Sequence, residues 1–75
     1  MIKDTSTLTE GQVLKVDLTN LNDRLPKKLI HMLKKDPIGK LIGYKMVDGN
    51  QFGFVLKLNI GIIQWFFADE ISKVD

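Results

Sequence analysis

Hydrophobic and polar positions change period twice along this chain. Between Gln12 and Leu18, Leu14, Val16 and Leu18 alternate with Val13, Lys15 and Asp17, the period of a half-buried strand. From Pro26 to Lys35 the spacing lengthens, and Leu25, Leu29, Met32 and Leu33 fall at i, i+4, i+7 and i+8, one stripe of a helix. Pro26 suits its first turn, Asp23 stands near the positive end, and Asp36-Pro37 stops it because the residue before proline avoids helical backbone. Lys40–Val47 then reads as the first strand of a meander, and alternation returns at Phe52–Asn59, where Phe52, Phe54, Leu56 and Leu58 share one face. A third run, Ile62–Phe67, is apolar on both faces. Asp48-Gly49 predicts a tight hairpin between the first two runs. Asn59-Ile60-Gly61 predicts a three-residue loop with Gly61 left-handed. Ala68–Ile71 resembles a single helical turn, and Ser72–Val74 a short closing strand.

Together these elements predict a mainly β fold: a small SH3-like barrel of about five strands with a short helix inserted after the first strand. A five-stranded OB-type barrel is the alternative, for which 75 residues is short. Residues 1–10 read as a polar, flexible lead-in and residues 11–75 as the domain. A ten-residue helix is about 15 Å long and too short to hold by itself, so it must lay its leucines on the sheet. No apolar run approaches the roughly 20 residues that span a bilayer, and the first residues lack the apolar region of a secretory signal. The chain has no cysteine, which leaves no disulfide or thiolate metal site.

Reaction chemistry is thinly represented. His31 is the only histidine, flanked by Ile30 and Met32, and it cannot alone supply the ligands zinc needs. A Ser72–His31–Asp69 grouping has no sequence support for its geometry, and Asp69-Glu70 reads as a helical-turn cap. The expectation is a binding domain without catalytic residues, cofactor or metal. Charge is more informative: Arg24–Lys45 holds seven basic residues and one acid, a local balance of +6 against +2 for the whole chain. Such a basic flank fits an acidic protein, anionic lipid headgroups or nucleic acid. A single arginine argues against nucleic acid, whose readers favour arginine. Of Trp65, Phe66 and Phe67, two are expected in the core. The one on the opposite face, Trp65 or Phe66, is a candidate contact residue.

Gly43-Tyr44-Lys45-Met46-Val47-Asp48-Gly49, then Gly53, then Trp65-Phe66-Phe67-Ala68-Asp69-Glu70-Ile71 form two blocks. They resemble the PetP family, small SH3-like peripheral subunits of the cytochrome b6f complex in cyanobacteria and red-algal plastids. Gly11-Gln12-Val13 and Asp23-Arg24-Leu25 resemble its opening strand and the basic segment that follows. The likeness spans about residues 11–75, with fewer arginines between Val16 and Leu25 and a longer lysine-rich helix. It implies a non-catalytic subunit bound to cytochrome b6f core subunits on the cytoplasmic or stromal face of the thylakoid membrane; the basic flank adds anionic thylakoid lipid as a candidate partner. A soluble adaptor, a nucleic-acid module, or a docking subunit for an acidic electron carrier such as ferredoxin are the alternatives. The residues expected to face a partner are Arg24, Lys27, Lys28, Lys34, Lys35, Tyr44, Trp65 and Phe66.

Overall fold

The computed structural model describes residues 8–21, 24–47, 49 and 51–74. Five strands, β1 (Val13–Val16), β2 (Ile38–Val47), β3 (Gln51–Leu58), β4 (Ile63–Phe66) and β5 (Ile71–Lys73), form one antiparallel sheet in the order β4-β3-β2-β1-β5. A nine-residue helix, α1 (Lys27–Lys35), lies between β1 and β2. Single 3-10 turns follow β1 (Leu18–Asn20) and β4 (Ala68–Glu70). One short strand pairing on both sides, a β2-β3-β4 meander and a 3-10 turn before the closing strand make this an SH3-like barrel.

Inward positions follow the alternation of the sequence. Leu14, Val16, Leu41, Phe54, Leu56, Leu58, Phe66 and Ile71 are buried together, and Leu25, Leu29 and Leu33 close the core from α1 and its approach. The helix ends where Asp36 turns extended, at φ −151°. Pro26 sits one residue before the first turn and not within it; its carbonyl accepts the first helical hydrogen bond, from Ile30 N–H at 3.1 Å. Asp23 and Asp48 lie outside the described residues, but Gly49 (φ 73°) and Gly61 (φ 93°) both take the left-handed backbone their turns require.

Three features depart from the sequence pattern. β2 begins at Ile38, two residues earlier than expected, because Ile38 pairs with Lys15 of β1. Its register against β3 shifts between Leu41 and Gly43, a bulge that turns Ile42 outward. The polar connector after β1 hides a core residue, Leu21, and Leu8 is buried as well.

Candidate functional site

Arg24, in the connection between β1 and α1, is the chain's single arginine, and it is engaged within the fold. Its Nε donates to Glu70 Oε2 at 2.7 Å and its Nη2 to Glu70 Oε1 at 2.6 Å, a bidentate pair. Nη2 also reaches the Trp65 carbonyl at 3.2 Å. The guanidinium lies 4.3 Å from the Trp65 ring centre and 5.4 Å from that of Phe67, within cation–π range. Glu70 is 3% exposed, yet its carboxylate is fully used, since Oε1 accepts the Phe67 N–H at 2.8 Å besides the arginine. A buried carboxylate is tolerated only with such partners. This cluster fastens the β1–α1 connection across the short link from β4 to β5, where the sheet's two edge strands come together.

The aromatic run divides differently from expectation. Only Phe66 is fully buried; Trp65 and Phe67 are half-exposed and meet edge to face at 4.9 Å. The cause is position: β4 is an edge strand, and of the three only Phe66 points inward, opposite Phe54. Trp65 lies on the outer face, where its ring fills the space a Cβ at Gly53 would take, 2.9 Å from Cε3. Phe66 therefore offers no surface to a partner, and of the two aromatic candidates Trp65 alone stays at the surface.

The remaining expected contact residues are exposed. Lys27, Lys28, Lys34 and Lys35 stand on the outer side of α1 with His31, while Leu29 and Leu33 face the core. Beside them a cleft of about 420 Å³ is lined by Pro26, Lys28, Leu29, Met32 and Ile62. Tyr44 is far from this helix in the fold. It lies at the root of the β2–β3 arm: its partner Phe54 still pairs with Phe66 of β4, and beyond it Lys45–Val47 and Gln51–Gly53 run on past the pairing with β1 and β4. There the inner-face stripe leaves the core: Tyr44, Met46 and Phe52 are each more than half exposed. Tyr44 packs on Phe54 at 5.4 Å, and Phe52, Phe54, Phe67 and Ala68 line a cleft of about 500 Å³ with Gln51 and Asp69. Alternation puts Phe52 on the face of Phe54, Leu56 and Leu58, and Met46 joins that face only through the bulge after Leu41, so neither reads as a contact residue from sequence. Only the overhang of the arm exposes them.

Chemically, the described residues offer charge and apolar surface. His31, Ser72 and Asp69 sit on α1, β5 and the second 3-10 turn respectively. No group of three or more metal-capable side chains occurs among the described residues. No described helix is long and apolar enough to cross a membrane.

A small SH3-like barrel with exposed lysines and an overhanging apolar arm is the class this geometry defines. The family model described as cytochrome b6f, subunit Tsr0524-like, matches residues 11–72, and the chain belongs to that family of cytochrome b6f subunits. This places it in photosynthetic electron transport at the thylakoid. No curated protein and no solved structure matches the chain.

Proposed function

We propose that this chain is a non-catalytic peripheral subunit of the cytochrome b6f complex. It docks by protein–protein contacts on the cytoplasmic or stromal face of the thylakoid membrane and supports electron transport without taking part in redox chemistry. The family match across residues 11–72 carries this reading. Two surfaces support it. The arm residues Tyr44, Met46 and Phe52 are the types enriched at the cores of protein interfaces. The exposed lysines of α1 supply long-range attraction toward an acidic face, felt over about 8 Å at physiological salt. Arg24 and Phe66 are occupied within the fold, so the docking set contracts to Lys27, Lys28, Lys34, Lys35 and Tyr44, with the rim of Trp65. Charge reversal of the four helix lysines should release the protein from isolated thylakoids at moderate salt. Retention equal to wild type would remove α1 from the docking surface.

A further inference from the structure

The outward face of the sheet carries an arrangement that only the strand register reveals. Val13 of β1 stands opposite Lys40 of β2, Lys40 opposite Lys57 of β3, and Lys57 opposite Ile63 of β4. All four side chains are exposed, Ile63 by 61%. Two lysines directly across an antiparallel pair repel each other and weaken the sheet. Exposed β-branched residues at both ends of the same row lie open to solvent. Lys15 and Lys45 extend the same face, Ile42 adds a third exposed aliphatic, and none of the five strands contains an acidic residue. The nearest carboxylate beyond β1, Asp17, accepts hydrogen bonds from Thr19.

We infer that this face is a lipid-reading surface, seated on the anionic headgroups of the membrane. The inference rests on the reading above that the chain works at a membrane complex. Composition selects the partner. Protein interfaces are depleted in lysine and enriched in aromatics and arginine at their cores, whereas this row sets two lysines between two aliphatics; the aromatic on the same outer face, Trp65, is half-buried with Arg24 stacked on its ring. Single-stranded nucleic acid calls for open aromatic faces, whereas the tryptophan here is covered by Arg24. Ammonium groups are strongly hydrated point charges without a fixed hydrogen-bonding fork, suited to a diffuse layer of phosphate or sulfonate. Val13, Ile42 and Ile63 enter the headgroup boundary while the lysine stems run alongside and keep their charges in water.

The test is co-sedimentation of the full chain with phosphatidylcholine vesicles and with vesicles also containing phosphatidylglycerol, over a salt series. The account expects binding to the second only, falling steeply with salt. K57E should weaken that binding at least about fivefold, the share of one lysine near an anionic surface. The same variant should raise the unfolding temperature, because it sets a carboxylate opposite Lys40. A fall in binding with a rise in stability cannot come from misfolding. Absence of binding to phosphatidylglycerol vesicles, or equal binding by K57E and wild type, overturns the inference. So does K57E-sensitive binding to polyglutamate without vesicle binding, which assigns the face to an acidic protein. Capture of cytochrome b6f from lipid-stripped extracts is scored separately. If capture persists while vesicle binding fails, only the lipid surface is lost. If wild type captures no cytochrome b6f, the reading on which it rests is lost.

Discussion

The Arg24 cluster and the β2–β3 arm use the same kinds of residue to opposite ends. In the cluster, a cation, two aromatics and a carboxylate come from positions 24, 65, 67 and 70, and each polar group finds its partner inside the fold. On the arm, Met46 and Phe52 project from a two-stranded overhang and, with Tyr44 at its root, stay more than half in water. Aromatic and charged residues do not declare by type whether they hold the fold or meet a partner. What separates the two roles is whether the fold itself satisfies them. The cluster is satisfied and so structural; the arm is not, and exposed apolar surface of this kind marks a contact.

Perturbing the cluster should have the largest effect. R24A leaves Glu70 buried without its cation and should cost about 3 kcal/mol in denaturant unfolding, a large part of the roughly 4–11 kcal/mol typical of a domain this size. R24K keeps the charge but loses the fork, and should cost less. Unchanged stability in R24A with lost membrane association would make Arg24 a docking residue and erase the contrast. Next in size, G53A drives a methyl into the Trp65 ring. It should cost about 1–3 kcal/mol and red-shift tryptophan emission as the ring moves outward. K57E should gain about 0.2–1 kcal/mol by replacing a like-charge pair with an opposite one. M46S and F52S should stay within about 0.5 kcal/mol of wild type; a larger loss would mean the arm is packed like the cluster.

The smallest effect is a pH dependence. The Thr19 hydroxyl, and then its backbone N–H, hydrogen-bond the Asp17 carboxylate and hold its pKa below the usual 3.8. A carboxyl depressed by folding stabilises above its unfolded pKa, and that contribution fades as pH falls through the folded value. D17N should therefore be less stable than wild type near neutrality, with the gap narrowing below pH 3.8 in acid titrations followed by circular dichroism.

Periodicity made most of the fold legible. The β3 face of Phe54, Leu56 and Leu58, the leucines of α1, and the glycines at the two hairpin turns stand where the pattern puts them. Leu21 stayed hidden because a lone leucine in a polar connector has no periodic partner. The Arg24–Glu70 pair was illegible for another reason: 46 residues separate its members, and nothing local marks Glu70 except that it follows an apolar run. The row from Val13 to Ile63 depends on the register of four strands and on the bulge at Ile42, neither of which one sequence specifies.

The central claim is that association with the cytochrome b6f complex runs through exposed surface such as the arm and leaves the Arg24 cluster to hold the fold. It is tested most directly by pull-down of tagged wild type and of an M46S/F52S double variant from mildly solubilised photosynthetic membranes, with both proteins shown to be equally folded. The account predicts that wild type brings down cytochrome b6f subunits and that the double variant loses most of them. Capture of some other complex by wild type, or equal capture of cytochrome b6f by both proteins, would contradict it.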